Sequence, residues 1–197
     1  MENAMLARIA AAATLCATLA VPAGAQQPGP QDMQRGRDFL QKSMAMMKPE
    51  LAEKAKALPP EIQRFLLKIA IKHDRHSDSL TLVQVMHEIL ADYQAVGAAI
   101  AADNGALAAE AARRIAGHRL PRGGLLPYLP LEKVNARDLG MLPAMEEAVE
   151  GGALRLATAA EQGDMAAAAR HYGDVTAGCV ACHAHFRGRP GVSARLK

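Results

Sequence analysis

The sequence predicts an all-α protein: an antiparallel four-helix bundle carrying a helical N-terminal extension. Three observations lead there. Apolar residues recur at three- and four-residue spacing through several long segments, while the strict alternation of a half-buried strand appears nowhere. The apolar half of the chain is built from Ala, Leu, Ile, Val and Met, with three Tyr, three Phe and no Trp, and most of these residues favour helices. Finally, one long Pro/Gly-rich interruption separates two pairs of helical segments, the spacing of a bundle with a crossover connection.

Composition narrows the function classes before any motif is considered. The 197 residues are 50% hydrophobic and 22% charged, with a formal net charge of +3, which suits one globular domain and excludes a disordered chain. Three cysteines are too few for a disulfide scaffold. The basic residues are scattered and few aromatics accompany them, so nucleic acid is not an expected partner.

Residues 1–25 read as a secretory signal. Arg8 precedes the apolar run from Ile9 to Val21, and Ala23-Gly24-Ala25 supplies an A-x-A cleavage site after Ala25. The apolar run is too short for a comfortable span, so no stable membrane insertion is expected. Cys16 would leave with the leader, and the mature chain would keep two cysteines in an exported, periplasmic compartment.

Residues 26–78 read as a polar leader followed by the helical extension. Asp32 is a plausible N-cap for a segment that presents Phe39, Leu40, Met44 and Met47 on one side and stops at Pro49. A second segment follows Pro59-Pro60 and aligns Ile62, Phe65, Leu66 and Ile69.

Residues 79–190 hold the bundle. Asp78 or Ser79 could cap a first helix to about Asp103, with a stripe of Leu82, Met86, Ile89, Tyr93, Val96 and Ile100, widened by Val83, Leu90 and Gly97. An Ala-rich helix then covers residues 106–118. The stretch 119–130, with Pro121, Gly123, Gly124, Pro127 and Pro130, cannot be regular helix. A third helix covers residues 138–162 with a weak point at Gly151-Gly152. Gly163-Asp164 stops it and caps a fourth helix from Met165 to about Phe186, and a tail of residues 191–197 follows.

Chemistry enters with Cys179-Val180-Ala181-Cys182-His183, the C-x-x-C-H spacing of covalent c-type haem attachment. Positions i, i+3 and i+4 share one helix face, so two thiols can meet the two vinyl groups of one porphyrin while the adjacent imidazole reaches the iron. Chance would give the motif in a chain of this size on the order of once in a thousand, which favours haem over the alternatives. A thioredoxin-like pair needs a βαβ context that is missing. A zinc site needs two further ligands, for which His73 and His76 are the one supplement in the sequence.

The segment Gln162-Gly163-Asp164-Met165, then a helix ending in Cys179-Val180-Ala181-Cys182-His183-Ala184-His185-Phe186-Arg187, resembles the C-terminus of class II cytochromes c, the high-spin cytochromes c prime and their low-spin, methionine-ligated relatives. The resemblance covers roughly residues 79–190 and leaves out the extension. It implies a bundle holding one covalent haem c, with electron transfer to periplasmic redox partner proteins, or binding of small gases such as nitric oxide; no general-base or nucleophile constellation around the motif suggests turnover, so an enzyme is not expected. Carried over by position, Cys179 and Cys182 match the thioether cysteines, His183 the proximal ligand, and Phe186 and Arg187 the residues flanking the haem. Met86 falls where low-spin relatives place a sixth ligand. His87 is its rival, and an open iron is the third possibility. A homodimer is implied by analogy alone.

Lesser features read as structural. Met44, Met46 and Met47 could form a soft copper site but suit a half-core, half-surface run. His73 and His76, with Asp74 and Asp78, suit a polar entry to the first bundle helix, and His185 an exposed position.

Overall fold

The computed structural model describes residues 28–133 and 135–187; the expected signal peptide and C-terminal tail lie outside them. Among the described residues the protein is all-α, with no strand and one isolated parallel bridge, His76 to Leu120.

The extension comprises α1 (Pro30–Ala45), α2 (Pro49–Lys56) and α3 (Pro60–Lys72). Each begins with proline at a first-turn position, where the missing N–H is no loss. Pro49, expected to end a helix, therefore starts α2. Asp32 is not the cap of α1; it sits inside the first turn, and its carboxylate accepts from the Gly29 N–H at 3.1 Å.

Helix α4 (Leu82–Ala101) begins later than expected because Thr81, not Asp78 or Ser79, forms a reciprocal capping box with Gln84. Asn104 caps α5 (Gly105–Ala116). The crossover contains a single turn of 3-10 helix, Leu126–Tyr128. Gly123 and Gly124 have φ of +76° and +73°, a left-handed conformation costly for other residues. A Cβ on Gly124 would lie 2.7 Å from the Phe39 ring, so glycine also lets α1 approach the crossover.

The expected third helix is divided into α6 (Ala136–Leu139), α7 (Leu142–Glu146), a π-helical turn (Glu147–Gly151) and α8 (Gly152–Glu161). The weak point at Gly151-Gly152 is thus where the π turn returns to α geometry. Asp164 caps α9 (Met165–Phe186) by accepting from Ala167 N–H at 2.8 Å.

Helix α5 packs on α4 and α8, α8 packs on α9, and α9 returns to α4. Their shared core is mostly alanine: Ala108, Ala111, Ala112, Ala153, Ala157 and Ala168 are all fully buried, with Ile115, Leu156 and Val175 among them. Small side chains let helix axes approach closely. A second core joins Ile62, Phe65, Leu66 and Ile69 of α3 to Leu120, Leu126, Leu129 and Leu131 of the crossover and to Leu139 and Leu142. The extension and the segment after residue 78 therefore share one hydrophobic cluster. No described helix is long and apolar enough to cross a membrane.

Candidate functional site

The C-x-x-C-H motif occupies the last two turns of α9. Cys179 and Cys182 are free thiols, each partly buried. Burial pushes both upward from the ordinary thiol range, and the neighbouring Cys179 adds to the shift of Cys182. Burial likewise lowers the His183 imidazole, with the Arg187 cation contributing, so the neutral, ligating form is favoured.

What faces the motif is set one to two turns upstream, where α4 and α9 touch. Tyr93 and Tyr172 stack with centroids 4.4 Å apart. Thr176 donates its hydroxyl proton to the Tyr172 carbonyl at 2.7 Å, so Tyr93 Oη–H donates to Thr176 Oγ1 at 2.6 Å. Gly97 makes the approach possible, because a Cβ there would sit 2.7 Å from Tyr172 Oη. Tyr172 is raised from its ordinary value by burial and by the Tyr93 hydrogen bond.

These contacts run Gly97 to Tyr172 and Tyr93 to Thr176, an antiparallel register. Seven residues further along each helix, two turns, the same register brings Met86 level with His183. Seven residues also return a helix to within about 20° of its starting face, so Met86 lies on the Tyr93 face and His183 on the Thr176 face. Both side chains are partly buried. His87 is exposed and lies roughly 100° further round α4.

The expected stripe on α4 needs one correction. Val83 and Leu90, read as widening the buried face, are 50% and 48% exposed, whereas Val85 is fully buried. They lie three residues before and four after Met86 on α4, and Val180 in the motif is 62% exposed. Phe186 packs against the second core rather than the first. Arg187 is exposed, its N–H donating to the His183 carbonyl at 3.0 Å. His185 is not simply solvated: Nε2 lies 3.2 Å from Asp138 Oδ1. Met44 and Met47 pack on the second core and Met46 is exposed.

The donor set suits a flat, extended group better than a single ion. Among the described residues, one triplet of His, Cys, Asp or Glu ligand atoms lies within 4.8 Å of one another, and it is His73, His118 and Glu150. The two thiols and His183 do not converge in that way. They are laid out at i, i+3 and i+4 along one helix face, the spacing that two thioether attachments and one imidazole ligand use.

The His73–His118–Glu150 triplet was not legible as a unit. His76, the expected companion of His73, instead stacks on Phe39 at 4.1 Å. His73 closes α3, His118 follows α5, and Glu150 projects from the π turn. A signal existed for Glu150: it precedes Ala153 and Ala157 by three and seven residues, so an acid stands in line with two fully buried alanines. Burial would raise this carboxyl, but its contacts with His118, His73 and Lys72 outweigh that and hold the group far below the usual carboxylate range.

Comparison of the chain with family models, curated proteins and solved structures finds no match.

Proposed function

We propose that this protein is an exported one-electron carrier of the class II cytochrome c type, holding one covalent haem c between α4 and α9 and working with periplasmic redox partner proteins. The reading rests on the register that the Tyr93–Tyr172–Thr176 contact sets, which brings Met86 level with His183. Cys179 and Cys182 would hold the group through thioethers, and the addition of each S–H across a vinyl group leaves no net redox change. His183 and Met86 would ligate the iron. When bound, the iron supplies the electron chemistry by passing between ferric and ferrous states, and a His/Met pair tunes its potential upward relative to His/His.

The chain's own residues supply position and dielectric. The tyrosine contact fixes the spacing of α4 and α9 next to the motif. Val83, Leu90 and Val180 provide apolar surface for a porphyrin face and edge, and partial exposure on that side leaves a route for electrons to a partner. Arg187, at the end of α9, would neutralise a propionate.

The test is an optical spectrum of the exported protein, oxidised and then dithionite-reduced, with a pyridine haemochrome on the same sample and a repeat on Met86→Ala. A covalent haem signal, low-spin in the wild type and high-spin in Met86→Ala, is expected. A spectrum already high-spin in the wild type would move the reading to gas binding at an open iron. No covalent haem would overturn the reading.

A further inference from the structure

The buried triplet between α3, α5 and the π turn has the arrangement of a metal site, independent of the C-x-x-C-H motif. His73 Nδ1 is 3.0 Å from the His118 carbonyl, and His118 Nδ1 is 2.9 Å from the Arg119 carbonyl. A carbonyl oxygen only accepts, so both Nδ1 atoms carry hydrogen. In neutral rings both Nε2 atoms then present lone pairs, and both point at one carboxylate oxygen: Glu150 Oε1 lies 3.3 Å from His73 Nε2 and 3.4 Å from His118 Nε2. His73 and Glu150 are 4% and 5% exposed, and His73 Nε2 has no hydrogen-bond partner.

With both rings neutral, three acceptors converge on one point, an arrangement that a bound cation among them relieves. The distances fit one. A tetrahedral zinc ion with bonds of about 2.0–2.1 Å separates its ligand atoms by about 3.4 Å. Imidazoles that ligate through Nε2 while Nδ1–H is held by a backbone carbonyl are the usual second layer of such sites. The remaining carboxylate oxygen, Oε2, is 2.8 Å from Lys72 Nζ, which leaves Oε1 for a single bond to metal. The π turn that delivers Glu150 is itself a geometry frequent at functional sites.

We infer that His73, His118 and Glu150 bind one divalent zinc ion, with a water in the fourth position, and that the ion clamps the N-terminal extension to the helices of the first core. The three ligands come from three segments far apart in sequence, so the bound ion ties together the end of α3, the end of α5 and the turn before α8.

Purified full-length chain is treated with chelator, incubated with zinc chloride, separated from free ion and assayed for metal content, with a thermal melt on the same samples. One zinc per chain and a raised melting temperature are expected for the wild type and for the Cys179→Ala/Cys182→Ala double variant. His118→Ala, at the more exposed edge of the site, should fold by circular dichroism and lose both the ion and the thermal increment. No retained zinc in the wild type, equal zinc in His118→Ala, or zinc lost in the cysteine variant would each overturn the assignment. Zinc-edge X-ray absorption on the loaded wild type covers the case in which His118→Ala fails to fold. A nitrogen and oxygen shell is expected, and a sulfur ligand would refute the site.

Discussion

Leu156→Ala tests how the alanine-rich core is held. Leu156 is 1% exposed and belongs to a cluster whose other members on α5, α8 and α9 are mostly alanine. Removing three carbons forfeits about 2.4 kcal/mol of transfer free energy at about 0.8 kcal/mol per methylene. A cavity contribution adds to this and depends on how far the surroundings collapse, giving an observed range of about 2.7–5.0 kcal/mol for such changes. Alanine has no rotamers with which to swing into a void, and the helices carrying these alanines already sit close together. The loss should therefore fall in the upper half of that range, about 4 kcal/mol. Urea denaturation followed by helical circular dichroism measures it. With a slope of about 2 kcal/mol/M the midpoint should drop by about 2 M at unchanged slope. A loss below about 1.5 kcal/mol would refute the reasoning, because it would mean that the alanine wall moves inward.

Two other perturbations address the extension. Gly124→Ala forces a side chain into a left-handed backbone and against the Phe39 ring 2.7 Å away; it should cost about 2–4 kcal/mol and speed proteolysis of α1, whereas an unchanged urea midpoint would contradict the packing described. Deletion of residues 26–72 strips the second core of Ile62, Phe65, Leu66 and Ile69, and the remainder should aggregate or melt well below the full chain. A stable, fully folded remainder would make the extension an appendage used for docking instead.

The sequence carried the helical class well because α4, α5 and α9 have uninterrupted periodicity, and Asp164 was legible as the cap of α9, whereas Thr81 rather than Asp78 or Ser79 caps α4. It carried the boundaries less well wherever proline was involved. Pro49 has the same signature at the end of one helix and at the first turn of the next, and only the contact of Leu51 with the second core distinguishes them. The face of α4 was misjudged by part of a turn, since Val83 and Leu90 are as apolar as Val85 and hydrophobicity alone cannot say which edge of a wide stripe meets a neighbour. At the site, the C-x-x-C-H motif was legible because its spacing is local. The triplet of His73, His118 and Glu150 was not, because its members meet only after the extension folds back and the π turn redirects Glu150.

Side-chain size along α4 and α9 explains why the site lies at one end of this helix pair. Towards the start of α9, Gly97 admits Tyr172, and a stacked tyrosine pair, with Tyr93 hydrogen-bonded to Thr176, fills the space between the helices. Two turns on, no aromatic pair stands between them; α4 offers Met86 with Val83 and Leu90, and α9 offers two thiols and an imidazole. The tyrosines thus fix the separation of two helices whose other ends carry groups of donor chemistry and exposed apolar surface. A rigid contact two turns from such groups holds them at a constant spacing, and in the one-electron carrier proposed above, less rearrangement of the ligands on each transfer would lower its barrier. If the proposed haem is bound, loosening the tyrosine contact should disturb ligation at Met86 before it unfolds the alanine core, since most of that core is contributed by α5 and α8.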